Sequence, residues 1–325
     1  MTEIRCREDE YHGLPLRGTQ AGLVRTLLAG LCRSISHSTV AGMQTTRTIN
    51  ELRAQCATLR SRYGALTLVP TMGALHAGHL ALLREAASGG AGVVTSIFVN
   101  PLQFGPNEDF ARYPRNEAAD LAALEAAGCH LVWLPDVATM YPLGDATTIN
   151  VAGPAERWEG ATRPGHFRGV ATVCTKLFGQ VRPDRAYFGE KDWQQLQVVR
   201  RFVADLLLPL EIAGVATVRD ADGLALSSRN QFLSSSERAV APQLYAVLGD
   251  LGGILSAGGP ATEPLATGRR RLADAGFVLD YLELVDGPTL LPLPAAQPGA
   301  RLIAAAKLGT VRLIDNIAVN LLAPA

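Results

Sequence analysis

Short apolar runs alternate with segments of helical hydrophobic spacing through the first two thirds of the chain. The apolar runs predict strands at 66–69, 93–99, 130–134, 186–188 and 211–216, and the helical spacing predicts helices at 78–87, 116–127, 167–178 and 193–206. An earlier helix is predicted where order begins, from a cap at Thr48 with Glu51 three residues later to a stop before Gly64. Parallel strands need right-handed crossovers that cover the sheet, so the alternation predicts an α/β fold with a doubly wound parallel sheet.

The pattern changes after Asp220. A polar loop to Asn230 precedes predicted helices at 236–255 and 263–275 and β-rich stretches at 277–285 and 302–314. We therefore predict two domains: a Rossmann-like domain at 43–216, and a smaller α+β C-terminal domain at 217–325 that carries the Ser-Ser-Arg-Asn loop.

The first 42 residues show neither pattern. From Tyr11 to Asn50 there is no Asp or Glu while four Arg occur, a composition that resembles a transit peptide. The acidic run Glu8-Asp9-Glu10 argues against that interpretation. We favour a disordered N-terminal extension at 1–42, ahead of a start at Met43, which carries no chemistry, and a targeting segment is the alternative.

Charge and cysteine content argue against several classes of function. The 325 residues contain 30 Lys and Arg and 30 Asp and Glu, so the net charge is zero and no long-range field attracts nucleic acid or anionic lipid. The five cysteines are far apart and form no C-x-x-C pair, which predicts reduced thiols. No apolar window reaches the roughly 18 residues of a membrane span. We predict a cytoplasmic protein with small-molecule substrates, without nucleic-acid or membrane partners.

Two histidines, His76 and His79, lie three residues apart where the strand at 66–69 gives way to a helix. A helix N-terminus offers unpaired N–H groups, and Gly73 and Gly78 let a ligand approach the backbone, so phosphate is the favoured ligand. Two imidazoles can donate hydrogen bonds to a phosphoryl group as it gains charge, which suits nucleotidyl transfer. The alternatives are two structural histidines at a helix start, or a zinc site, for which no further ligand lies nearby.

Three other connections carry polar residues at predicted carboxyl-end turns or at the domain boundary. Lys191 follows the strand at 186–188, Gln103 follows the strand at 93–99, and a loop with two hydroxyls and Arg229 opens the second domain. Taken singly, these are equally a charged helix start, an ordinary loop and a capped turn. Loops that converge at one edge of a doubly wound sheet would instead form a polyphosphate site.

Six ordered segments resemble the pantothenate synthetase family, the pantoate–β-alanine ligases, which belong to the H-x-G-H nucleotidyltransferases related to class I aminoacyl-tRNA synthetases. The segments are PTMGALHAGH (70–79), SIFVNPLQF (96–104), RPGHFRGV (163–170), FGEKDWQQL (188–196), DGLALSSRN (222–230) and RLIDN (312–316). The resemblance implies condensation of D-pantoate with β-alanine, using ATP and Mg²⁺, through a pantoyl-adenylate. It also implies a homodimer.

Residue roles follow from the same resemblance. The catalytic residues would be His76, His79 and Lys191. Of these, His79 would be the proton donor. ATP would contact Met72, Gly73, Ala74, Leu75, His76, Ala77, Gly78, His79, Gly189, Glu190, Lys191, Asp192, Val218, Leu226, Ser227, Ser228 and Arg229. Gln103 and Gln195 would hold pantoate and β-alanine, and Asp120 would be a metal ligand. Two departures are the residues before Met43, which have no counterpart in the family, and Ala119, where some relatives have a second acid.

Three alternatives to this function remain at the level of sequence. A class I aminoacyl-tRNA synthetase shares the two-histidine motif, but this neutral chain lacks the length of an anticodon domain and a basic surface. A different adenylyltransferase, such as one acting on phosphopantetheine, would leave the nucleotide on its substrate and release only pyrophosphate. A non-catalytic module would bind ATP without exchanging pyrophosphate.

Overall fold

The computed structural model describes residues 42–105 and 110–322. Its strands are β1 (Gln44–Thr46), β2 (Leu66–Thr71), β3 (Gly92–Ile97), β4 (Leu131–Trp133), β5 (Arg185–Gly189), β6 (Glu211–Val215), β7 (Val278–Asp286), β8 (Ala300–Leu308) and β9 (Val311–Ala318). Its α-helices are α1 (Ile49–Tyr63), α2 (Ala77–Ser88), α3 (Glu117–Ala126), α4 (Val137–Met140), α5 (Glu159–Thr162), α6 (His166–Val181), α7 (Trp193–Asp205), α8 (Ser235–Val240), α9 (Gln243–Leu255) and α10 (Thr262–Asp274). The predicted extension at 1–42, Gly42 excepted, lies outside the described residues.

The predicted doubly wound parallel sheet is confirmed. Six parallel strands of the described chain lie in the order β1-β4-β3-β2-β5-β6. From β2 the chain winds outward through β3 to β4, which pairs with the edge strand β1, and then crosses back to place β5 on the other side of β2. The loops that leave β2 and β5 therefore diverge at their carboxyl ends and open a crevice, the usual ligand position in this fold.

The first strand was missed, so the prediction that order begins at the Thr48 cap was wrong. β1 is three residues long and reads Gln-Thr-Thr, which gives no apolar run, yet it pairs with β4 in the register Gln44 to Leu131. The cap itself is confirmed, because the Thr48 hydroxyl accepts the Glu51 N–H and the Glu51 carboxylate accepts the Thr48 N–H. A strand this short is defined by its partner, not by its own sequence.

The C-terminal elements form a three-stranded antiparallel sheet, β7-β8-β9, covered by α9 and α10. Two predicted elements are each divided in two. The helix predicted at 236–255 breaks before Gln243, because Pro242 lacks the N–H that a continuous helix would use. The stretch at 302–314 is a hairpin, because Gly309 adopts a positive φ of 58° and reverses the chain between β8 and β9.

Separate hydrophobic clusters support the two sheets. Helices α1, α6 and α7 bury one face of the parallel sheet, and α2 and α3 cover the other. A third cluster fills the space between the antiparallel sheet and its helices. The division at residues 216 and 217 stays a prediction, since the chain from Gly42 onward forms one compact unit. Across 42–105 and 110–322, no helix has both the length and the apolarity that crossing a bilayer requires.

Candidate active site

A cavity of about 230 Å³ lies at the carboxyl ends of β2 and β5, in the crevice that the strand order creates. Most of the residues predicted to bind ATP or substrate line it. They are Met72, His76, Gly78, His79, Gln103, Gly189, Lys191, Asp192, Gln195, Val218, Leu226, Ser227, Ser228 and Arg229. The structure thus brings together four segments that are far apart in sequence.

His76 and His79 form an interlocked pair at the start of α2. The His76 Nδ1 accepts the Gly78 N–H at 3.1 Å, and the His79 Nδ1 accepts the His76 N–H at 3.3 Å. The two rings lie 4.1 Å apart between centroids. Because each Nδ1 accepts a hydrogen bond, a neutral ring must carry its hydrogen on Nε2. Both side chains therefore have an Nε2–H donor, and both line the cavity.

Burial keeps both imidazoles neutral near pH 7. It lowers the pKa of His79 to about 3, with further lowering from His76 and Lys191 that outweighs the opposite influence of Asp192. It also lowers the pKa of His76, again with help from the Lys191 ammonium. In the absence of a bound anion, the pair is an array of neutral hydrogen-bond donors.

The loop between β2 and α2 is held in place by Asp120 on α3. Its carboxylate accepts the backbone N–H groups of Ala74 at 2.9 Å and Leu75 at 2.8 Å. The loop turns through positive φ at Gly73, 82°, where a Cβ would come within 2.8 Å of the Asp120 Oδ2. Glycine is therefore needed at residue 73, and the buried Asp120 fixes the path of the chain that leads to His76.

Lys191 lies in a short 3-10 turn, Glu190–Asp192, between β5 and α7. β5 is the neighbour of β2 in the sheet, so the turn and the histidine loop leave the same edge side by side. The Lys191 side chain is 20% exposed and its ammonium is 3.9 Å from the Asp192 carboxylate, which is too long for a strong hydrogen bond. Its charge is therefore available to an anion in the cavity.

The Ser-Ser-Arg loop forms another wall of the cavity. Ser227 caps a 3-10 helix, Ser228–Phe232, by accepting the Arg229 N–H at 3.2 Å. The hydroxyls of Ser228 and Tyr113 are 3.4 Å apart. Ser227, Ser228 and Arg229 line the same cavity as the histidines and Lys191, which supplies the hydroxyl and guanidinium groups that a polyphosphate ligand requires.

Gln103 is oriented by successive hydrogen bonds through Asn100 and Tyr141. Its Oε1 accepts a hydrogen bond from the Asn100 Nδ2 at 2.9 Å, and the Asn100 Oδ1 accepts one from the Tyr141 hydroxyl at 2.7 Å. Asn100 also donates to the Gly169 carbonyl at 3.1 Å. With its oxygen engaged, Gln103 retains its NH₂ group as a donor for a ligand in the cavity.

Two residues of the site were given no role by the sequence reasoning. The Arg163 Nη2 donates to the backbone carbonyl of Gln103 at 3.2 Å, and the His166 Nδ1 donates to the same backbone oxygen at 2.9 Å. Both side chains line the cavity together with Tyr113 and Phe104. The signal was the segment RPGHFRGV (163–170), which contains both residues but leads into the first turn of α6 instead of following a strand.

The remaining predicted residues do not line this cavity. Gly73, Ala74, Leu75 and Ala77 shape the histidine loop, while the Glu190 carboxylate accepts a hydrogen bond from the Arg301 Nη2 at 3.1 Å. Asp120 borders a neighbouring cavity, with both oxygens engaged by backbone N–H groups. Within the described residues, no group of three or more His, Cys, Asp or Glu side chains could hold a metal ion. The Mg²⁺ assignment of Asp120 therefore stays a prediction without a ligand set around it.

Comparison with known proteins agrees with this geometry. The family model described as Pantoate-beta-alanine ligase matches residues 44–318. The pantothenate synthetase of Acidiphilium cryptum strain JF-5 is 60% identical over 278 residues, which cover 85% of this chain and all of that protein (100%). The crystal structure of pantothenate synthetase from Thermus thermophilus superposes with a TM-score of 0.81 at 51% identity, covering 86% of this chain and 100% of that one.

A further solved structure is similar and carries ligands. It is the pantoate-beta-alanine ligase from Francisella tularensis, complexed with beta-gamma ATP and beta-alanine. It matches with a TM-score of 0.72 at 32% identity, covering 85% of this chain and 97% of that one. The six sequence segments, the parallel sheet and the extent of these matches agree, and the chain belongs to the pantoate–beta-alanine ligase family.

Proposed function

We propose that this chain condenses D-pantoate with β-alanine to pantothenate, consuming ATP and releasing AMP and pyrophosphate through a pantoyl-adenylate. The observation that carries the proposal is a single cavity whose lining includes His76, His79, Lys191, the Ser-Ser-Arg loop and Gln103. The family membership and the ligands of the Francisella relative support the same substrates.

In the first step the pantoate carboxylate attacks the α-phosphorus of ATP. An oxygen–phosphorus bond forms as the bond to the bridging oxygen breaks, and pyrophosphate leaves with the electron pair. The task of the protein is to align the reactants and stabilise developing negative charge, so no protein nucleophile is needed. The Nε2–H groups of His76 and His79 and the Lys191 ammonium are the donors for that charge.

The role of His79 is more specific than the proton donor that the resemblance implies. With a pKa near 3, the free enzyme holds this imidazole neutral, so it can donate a hydrogen bond but has no extra proton to release. A bound triphosphate would raise that pKa because negative charge favours the imidazolium. We therefore assign His79 to charge stabilisation, with proton transfer dependent on bound ATP.

In the second step the β-alanine amine attacks the acyl carbonyl of the adenylate. A carbon–nitrogen bond forms, the bond to the AMP oxygen breaks, and the amine loses a proton. Water must be kept from the reactive anhydride, and the apolar wall of the cavity, which includes Phe98, Phe104 and Phe188, serves that purpose. The amides of Gln103 and Gln195 would hold the pantoyl group in place.

We further propose Mg²⁺ as the partner of ATP, a homodimer, and the cytoplasm as the location, all from the resemblance alone. The described residues do not form a metal site of their own, so no step is derived through the ion. Protein-bound Mg²⁺ commonly relies on substrate phosphates, water and one or two carboxylates, which is compatible with this arrangement.

The decisive experiment is pantoate-dependent exchange of labelled pyrophosphate into ATP, followed by release of AMP when β-alanine is added. Exchange and AMP release together support the proposal. Nucleotide retained on the product would indicate an adenylyltransferase of another type. ATP binding without exchange by folded protein would indicate a non-catalytic module.

A further inference from the structure

The segment RLIDN in β9 contains two buried polar residues that the reaction chemistry does not use. Asp315 and Asn316 are each 4% exposed and neighbour one another in the antiparallel sheet. Adjacent side chains of a strand point to opposite faces. Asp315 shares its face with the buried Leu313, while Asn316 faces the 3-10 turn that carries Lys191.

Asn316 holds the Lys191 turn through its backbone. The Asn316 Nδ2 donates to the Glu190 carbonyl at 2.9 Å and to the Lys191 carbonyl at 2.8 Å. Its Oδ1 accepts a hydrogen bond from the Arg301 Nε, and the Arg301 Nη2 reaches the Glu190 carboxylate at 3.1 Å. The Arg301 guanidinium also stacks on the Trp193 ring at 3.5 Å. The Asn316 side chain therefore donates hydrogen bonds to two backbone carbonyls of this turn, which uses both of its amide protons.

Asp315 holds the base of the other phosphate-facing loop. Its carboxylate accepts two hydrogen bonds from Arg219, at 2.6 and 2.8 Å, in a bidentate pair. Arg219 pairs with Ala225 across a short hairpin whose last bond runs from the Leu226 N–H to the Val218 carbonyl at 3.0 Å. The hairpin ends directly before Ser227, so Asp315 fixes where the Ser-Ser-Arg loop begins.

We propose that Asp315 and Asn316 together set the spacing between Lys191 and the Ser-Ser-Arg loop. We call this pair of residues the bracket. Consecutive Cα atoms are about 3.8 Å apart, so the two phosphate-facing segments are tied to a single rigid point of the antiparallel sheet. The bracket residues touch no substrate and are positioning residues for the adenylation step. This inference rests on the proposed function.

The test for Asn316 is a double-mutant cycle with Lys191. Asn316→Ala should slow pantoate-dependent pyrophosphate exchange about 10- to 100-fold, the scale for a misplaced catalytic group, while the KM for pantoate changes less than about twofold. If Asn316 acts through Lys191, the same change in a Lys191→Ala background should cost less than about threefold. Fully multiplicative effects would overturn the assignment, because a general structural role predicts independent losses.

Arg219→Lys tests the other half of the bracket without leaving a buried charge unpaired. It keeps the charge of the ion pair with Asp315 but loses the bidentate geometry, and should slow exchange roughly tenfold. Glu283→Gln is the matched control. It removes the ion pair between Glu283, on β7 of the same sheet, and Arg269 on α10, and should leave the exchange rate within about twofold of wild type. An unchanged rate in Arg219→Lys would overturn the role of Asp315.

Amide hydrogen exchange separates failure of the bracket from failure of the proposed function. Amides of residues 189–192 should exchange at least tenfold faster in Asn316→Ala than in wild type, without any substrate. Unchanged protection there would overturn the bracket whatever the enzyme does. A wild-type chain that supports no pyrophosphate exchange, but whose 189–192 amides are deprotected by Asn316→Ala, would overturn the reaction and retain the bracket as a structural device.

Discussion

Asp120 accepts the backbone N–H of Ala74 at 2.9 Å, and its second oxygen accepts the N–H of Leu75 at 2.8 Å. The carboxylate therefore acts on the backbone of the loop that presents His76. A residue that the resemblance implies as a metal ligand has its acceptor oxygens directed at backbone, in a buried position.

Asp120→Asn should destabilise the fold by about 1–3 kcal/mol, because the new NH₂ group would face a backbone donor in a buried site. Adenylation should slow as the loop loosens, while the Mg²⁺ concentration that gives half-maximal activity stays within about twofold of wild type. Urea denaturation and a Mg²⁺ titration of pyrophosphate exchange measure the two effects. A tenfold increase in the Mg²⁺ requirement would instead support Asp120 as a metal ligand.

Stability should fall as the pH drops below about 6.5, the pKa of an unperturbed histidine. The unfolded chain then binds a proton on His79 that the folded chain, with its pKa near 3, does not bind. Linkage gives a loss of up to about 1.4 kcal/mol per pH unit from this group between those two values. Urea denaturation at pH 7 and pH 5 measures the loss, and His79→Gln should show a smaller one. Identical losses in both proteins would contradict a neutral buried His79.

Removing a single charge-stabilising donor should slow adenylation strongly. Lys191→Ala or His79→Ala is expected to lower the rate of pyrophosphate exchange by about 10²–10³-fold, the scale known for loss of one such group. Melting temperatures within a few degrees of wild type would show that folding is intact. Rates near wild type would remove these residues from the mechanism.

Gln103→Glu should weaken pantoate binding selectively. The Asn100 amide already occupies one side of the Gln103 head group, so a carboxylate there would present negative charge to the pantoate anion. We expect the KM for pantoate to increase at least about tenfold, a cost near 1.4 kcal/mol, with the KM for ATP little changed. Gln103→Leu serves as the uncharged comparison. Equal increases in both KM values would argue against a role in pantoate binding.

A chain that starts at Met43 should keep its activity and its melting temperature. The family match begins at residue 44, and β1 begins at Gln44, so the elements that build the parallel sheet remain intact. Side-by-side thermal melts and exchange assays of the full and shortened chains test this. A large loss of stability would show that residues 1–42 pack against the rest.

Local patterns were sufficient for much of the fold. Buried parallel strands are apolar along their length, and helices repeat every 3.6 residues, so strands such as β3 and helices such as α7 are visible in the sequence. Capping chemistry is equally local, which is why Thr48 and Glu51 could be assigned. β1 could not be found, because its three polar residues form a strand only through pairing with β4.

The candidate site likewise has features that local sequence predicts and others that depend on tertiary packing. The glycines, the histidines and the Lys191 turn lie in short motifs that the sequence alone determined. Residue type and spacing favoured phosphate as the ligand of the histidine loop, whereas Lys191 received its role from the family resemblance. Only the tertiary structure decided which side chains meet. The strand order puts β5 beside β2, the packing of α3 directs Asp120 at the histidine loop, and the turn from α5 into α6 brings Arg163 and His166 to the Gln103 backbone carbonyl. Residue spacing fixes periodicity along an element, whereas the direction of a side chain between elements depends on how those elements pack.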